Sequence, residues 1–96
     1  MPDLSILKKK LRELKPLLAR KFFVEQIGYF GSYAYQSESE ESDIDILVDL
    51  KKPLGWGFIE LKMFLEKELN RPVDLVTRNA LKKQLREQIL SETRFI

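Results

Sequence analysis

The chain has 96 residues, 17 Lys or Arg against 15 Asp or Glu, and neither Cys nor His. That length predicts one small domain over residues 1–96, and the missing Cys and His exclude disulfides, thiol nucleophiles, Cys- or His-ligated zinc and Ser-His-Asp hydrolysis. Any catalysis must rest on carboxylates, hydroxyls, backbone amides, Lys or Arg. No apolar run reaches membrane-spanning length and the first residues carry no signal-peptide core, so a cytoplasmic location is expected.

In chain order, Leu4, Leu7, Leu11, Leu14 and Leu18 recur at spacings of three and four, which predicts an amphipathic helix capped by Asp3 or Ser5. Pro16 is expected to kink or divide it, because proline lacks the N–H and crowds the preceding turn. Lys21–Phe30 is rich in Phe, Val, Ile and Tyr and reads as a strand ended by Gly31-Ser32. Residues 31–36 read as the start of a short helix whose free N–H groups could hold an anion. Residues 37–42, SESEES, read as a polar connector. Asp43–Leu50 reads as a second strand, followed by a Pro- and Gly-containing loop over Lys51–Gly57.

Phe58, Leu61, Leu65 and Leu69 predict a second helix, terminated by a left-handed Asn70 and stopped by Pro72. Val73–Thr77 reads as a short third strand. Asn79 is the expected N-cap of a last helix carrying Leu81, Leu85 and Ile89 on one side. Arg94-Phe95-Ile96 reads as an apolar tail that docks or frays. The order helix, strand, strand, helix, strand, helix predicts an α/β (α+β) fold. Its sheet would be small, three- to four-stranded, mixed or antiparallel, and covered by helices.

The charge is unevenly spread. Phe22–Leu50 holds seven acids and no base, while Lys and Arg gather in the first and last predicted helices. A basic patch can mean nucleic acid. Here the bases alternate with Leu at helical spacing, which is the pattern of two solvated helix faces. The acids are more specific. Side chains alternate along a strand, so Asp43 and Asp45 share one face while Ile44, Ile46 and Val48 share the other. Paired carboxylates are costly to keep ionised, and an oxygen-seeking cation such as Mg²⁺ relieves that cost. Asp74 projects from the third strand. Three carboxylates can therefore converge beside the Gly31-Ser32 turn, an arrangement suited to nucleotide chemistry.

The ordered set Gly31-Ser32, Ser42-Asp43-Ile44-Asp45-Ile46-Leu47-Val48 and Arg71-Pro72-Val73-Asp74-Leu75-Val76-Thr77 resembles the signature of the DNA polymerase β-like nucleotidyltransferases. It is most similar to the minimal nucleotidyltransferases (MNT), often the antitoxin half of a pair with a HEPN-domain toxin. The resemblance implies that Ser32 and the backbone after Gly31 hold the triphosphate of ATP. It implies that Asp43, Asp45 and Asp74 form the catalytic, metal-binding triad for two Mg²⁺ ions, with Asp74 helping to activate an acceptor hydroxyl. The implied reaction is transfer of AMP, with loss of pyrophosphate, to a tyrosine of the HEPN partner. Members of this size lack the extra substrate-binding domain of larger relatives, so a homo- or hetero-oligomer is expected. The family commonly reads G-S-x-A-R-G; here Tyr35 and Gln36 stand in the Arg and Gly positions. Tyrosine cannot replace a bidentate phosphate ligand, which keeps a binding-only antitoxin as the alternative.

Overall fold

The computed structural model describes residues 4–31 and 43–96. Helix α1 spans Leu4–Phe22, strand β1 Val24–Phe30, strand β2 Ile44–Leu50, helix α2 Gly57–Leu69 and strand β3 Val73–Thr77. A 3₁₀ turn over Arg78–Ala80, helix α3 over Lys83–Glu92 and a two-residue strand β4, Arg94–Phe95, complete the order. The sheet runs β3-β2-β1-β4, with β1 antiparallel to both β2 and β4, and β2 parallel to β3. A parallel pair needs a crossover, and α2 supplies it.

One sheet face makes the core. Val24, Ile27 and Tyr29 from β1, Ile44, Ile46 and Val48 from β2, and Val73 and Leu75 from β3 are buried there. They meet Leu7, Leu11, Leu14 and Leu18 of α1 and Leu61, Leu65 and Leu69 of α2. Each fully buried Leu or Ile stabilises the fold by roughly 1.5–3 kcal/mol relative to exposure. The leucine periodicity thus does what the sequence predicts.

Three local features differ from the sequence reading. First, of the two outcomes expected at Pro16, division does not occur, because α1 continues through it. The proline ring leaves the Arg12 carbonyl without its N–H donor, and Arg12 and Pro16 are both exposed, where an unpaired backbone group costs least. Second, the helix runs through Phe22 rather than yielding to a strand at Lys21. Phe22 continues the Leu14, Leu18 stripe into the core, and that burial outweighs the β preference of Phe. Phe23, at φ 56°, makes the left-handed turn into β1. Third, Asn79 does not cap α3. Thr77 Oγ1 accepts the Ala80 N–H at 3.2 Å and caps the 3₁₀ turn instead. Leu81 and Lys82 are extended, so α3 starts at Lys83.

The C-terminal tail docks. β4 pairs with Gly28 and Tyr29 of β1, and Ile96 N–H donates to the Ile27 carbonyl at 2.9 Å. Gly28 permits this approach: a Cβ there would lie 2.7 Å from Thr93 Cγ2 and 2.8 Å from the Arg94 carbonyl oxygen. At the other end of the sheet, Asn70 takes the left-handed conformation (φ 55°) expected of it and ends α2. Glu66 then ties α2 to β3, because its Oε2 accepts the Val73 N–H at 3.0 Å. Ile44 N–H donates to the Pro72 carbonyl at 3.0 Å, which aligns the starts of β2 and β3.

Candidate active site

The aligned starts of β2 and β3 bring the acids together. The parallel register sets Asp45 beside Asp74, on neighbouring strands about 4.8 Å apart. Asp43 precedes β2 on the same side as Asp45 and is exposed; Asp74 is exposed and Asp45 half-buried. Burial, the charge of Asp74, the charge of Asp43 and a hydrogen bond with Asp74 push the Asp45 carboxyl up from 3.8 to about 6. This is the expected response of a carboxylate withdrawn from water among its own kind.

Across the antiparallel pair, Asp45 faces Phe30, and Gly31 follows at once. Gly31 has φ +69°, and a Cβ on it would overlap Asp45 Oδ2 and lie 3.1 Å from Asp45 Cγ. Both facts call for glycine. The Gly31 backbone therefore lies directly against the carboxylate. Ser32, and with it Tyr33, Tyr35, Gln36, the expected short helix and the SESEES connector, lie outside the described residues.

Among the described residues, no group of three acidic side chains is arranged closely enough to hold a metal ion. The donor chemistry nevertheless fits a hard cation. All donors are carboxylate oxygens, and a cation would neutralise the mutual repulsion that, with burial, raises the Asp45 carboxyl.

A pocket of about 320 Å³ lies elsewhere, lined by Asp49, Lys51, Lys52, Leu54, Phe58 and Arg78 among others. Asp49 is four residues beyond Asp45, about 13 Å along the strand, so this cavity is not the carboxylate edge. Arg78 is held by Asp49 at 3.3 Å, and Lys52 lies 4.0 Å above the Phe23 ring. The Asp49–Arg78 pair was not foreseen from sequence. Asp49 does stand on the Asp43, Asp45 alternation, which is the signal that marks its face.

The nucleotidyltransferase domain model matches residues 4–96. The chain belongs to the nucleotidyltransferase domain family. A nucleotidyltransferase of this kind, the protein adenylyltransferase MntA of Thermococcus cleftensis, is 41% identical over 90 residues, covering 93% of this chain and 84% of its own length. A Methanocaldococcus jannaschii protein with a provisional adenylyltransferase name is 40% identical over 96 residues, covering 94% of this chain and 98% of its own. Among solved structures, one described as a minimal nucleotidyltransferase superposes with TM-score 0.84 at 33% identity, covering 96% of this chain and 94% of that one. A toxin–antitoxin complex with AMP-PNP matches at TM-score 0.74 and 28% identity, covering 90% and 70%. A tri-AMPylated Shewanella oneidensis HEPN toxin bound to its MNT antitoxin matches at TM-score 0.64 and 26% identity, covering 90% and 66%. The nucleotidyltransferase fold expected from the signature is therefore the one the chain adopts.

Proposed function

We propose that this nucleotidyltransferase transfers AMP from ATP to a hydroxyl of a partner protein, a HEPN-domain toxin, and so neutralises it as an antitoxin. The observation that carries this reading is the Asp45–Asp74 pair, with Asp43 on the same side and the Gly31 backbone pressed against Asp45. The relatives named as adenylyltransferases and the AMPylated HEPN toxin on its antitoxin support it.

In this reading Asp43, Asp45 and Asp74 hold Mg²⁺, two ions by the family pattern, which would supply charge neutralisation at the α-phosphorus and leaving pyrophosphate. By the family pattern, Ser32 and the backbone after Gly31 would hold the triphosphate, while Gly31 itself makes room for Asp45. The acceptor hydroxyl oxygen attacks the α-phosphorus, the bond to the bridging oxygen of the β-phosphate breaks, and pyrophosphate leaves. Asp74, on the open side of the pair, takes the hydroxyl proton. ATP as donor fits a cytoplasmic protein, and no helix among the described residues is long and apolar enough to cross a membrane.

The second reading, an antitoxin that acts by binding alone, is favoured by Tyr35 and Gln36 in the usual Arg and Gly positions. The test is to purify the chain with its HEPN-domain partner, add ATP and Mg²⁺, and measure intact partner mass by mass spectrometry. The transfer reading expects an added AMP that is lost with Asp43→Asn and Asp45→Asn. An unmodified partner that stays bound would leave the binding-only reading.

A further inference from the structure

Helix α2 has two apolar sides, and only one of them is used. Leu61, Leu65 and Leu69 face the core. Trp56, Ile59 and Met63 face outward and are 85%, 49% and 62% exposed. At about 100° per residue these three fall within roughly 60° of arc, opposite the buried leucines. A tryptophan left 85% exposed adds nothing to the fold, and Trp and Met are enriched in the cores of protein interfaces. Hydrogen bonds fix the ridge at its start: Gly57 N–H donates to Leu54, Phe58 N–H to Gly55 and Ile59 N–H to Trp56, at 3.0–3.1 Å. Trp56 is thus mounted on an ordered first turn.

Two charges share this outward face. Glu60 and Lys67 lie one heptad apart, both exposed, and among the described residues neither has an ion-pair partner. When a second copy is laid antiparallel across a two-fold axis near Met63, residue pairs whose numbers sum to about 126 come together. Met63 then meets Met63, and Glu60 of each copy comes opposite Lys67 of the other, twice by symmetry. Trp56 of each copy covers the far end of the opposing helix. The face is complementary to itself in charge, as an isologous contact requires.

We propose that the outward face of α2, Trp56, Ile59, Glu60, Met63 and Lys67, is a two-fold contact with a second copy of this chain. This goes beyond the proposed transfer reaction and does not depend on it. Because α2 packs on the core face of the sheet while Asp45 lies on the other face, the pairing leaves both carboxylate edges open. One exposed helix face belongs to the small-interface class, below about 1,200 Å² in total, so the dimer forms and dissociates with concentration.

The experiment is sedimentation velocity on the full chain over a wide concentration range, read alongside emission from Trp56, the single tryptophan. The expected result is a monomer–dimer equilibrium, with Trp56 emission moving to shorter wavelength as the dimer fills. Met63→Lys should give a monomer with unchanged circular dichroism. Glu60→Lys and Lys67→Glu should each weaken the dimer at least tenfold, and the double variant should restore it. A monomer at every concentration with constant emission would overturn the proposal. So would a dimer indifferent to Met63→Lys, or a charge exchange that fails to rescue. Emission that responds only to an added HEPN-domain protein would also overturn it, and would assign the face to that partner.

Discussion

Replacing Asp45 by Asn should stabilise the metal-free protein at neutral pH and abolish transfer. In the folded chain the Asp45 carboxyl is pushed up from 3.8 to about 6 by burial, Asp74 and Asp43. A raised carboxyl means that the folded state binds more protons than the unfolded state between pH 3.8 and about 6. The protonated Asp45 therefore contributes stability that is fully present below pH 3.8 and is lost as pH rises through about 6. In a sealed site that rise would correspond to about 3 kcal/mol. Asp45 is only half-buried, and solvent screening leaves about 1 kcal/mol. Asn has the shape of the protonated acid and no charge, so it removes this loss at high pH and changes little at low pH. Urea unfolding in EDTA, with wild type and variant compared at pH 4 and pH 7.5, reads the effect directly. The variant should be more stable by about 1 kcal/mol at pH 7.5 and nearly equal at pH 4. A variant that is less stable at pH 7.5, or that shows the same difference at both pH values, would refute the reasoning.

Three further outcomes follow from the packing. Gly31→Ala should lower stability by about 2 kcal/mol and depress transfer, because it strains a φ of +69° and drives a methyl group into Asp45; urea unfolding and label transfer check it. Gly28→Val should detach β4 by intruding on Thr93 and Arg94, seen as faster amide exchange at Ile96, whose N–H bonds to Ile27. Leu65→Ala, at a fully buried α2 position between helix and sheet, should cost about 2–5 kcal/mol in thermal or urea unfolding, with Leu85→Ala on the half-exposed α3 as a near-neutral control.

The helices were legible where burial and spacing agree. Leu7 to Leu18 and Leu61 to Leu69 are buried at the spacings that predict them. Asn70 was legible because few residues other than Gly tolerate the left-handed turn after a helix. The end of α1 was misread because Phe22 and Phe23 look like strand residues, while Phe22 completes a helical stripe that only the core defines. β4 was missed as a strand because two residues carry no alternation; its place depends on the missing side chain of Gly28. Asn79 was misplaced as a cap because the 3₁₀ turn capped by Thr77 absorbs it, and α3 begins only at Lys83. For the site, alternation alone puts Asp43 and Asp45 on one face. Neither alternation nor composition could align Asp74 with Asp45. That alignment comes from the parallel register, pinned by Glu66 on Val73 and by Ile44 on Pro72.

The most direct measurement of the account is label transfer to a HEPN-domain protein, the partner proposed above, from ATP labelled at the α- or at the γ-phosphate, with Mg²⁺, using wild type and Asp74→Asn. The account predicts that α-label enters the partner, that γ-label does not, and that Asp74→Asn abolishes incorporation while the complex remains intact. Entry of γ-label, or α-label transfer undiminished in Asp74→Asn, would contradict adenylyl transfer at the Asp45–Asp74 edge.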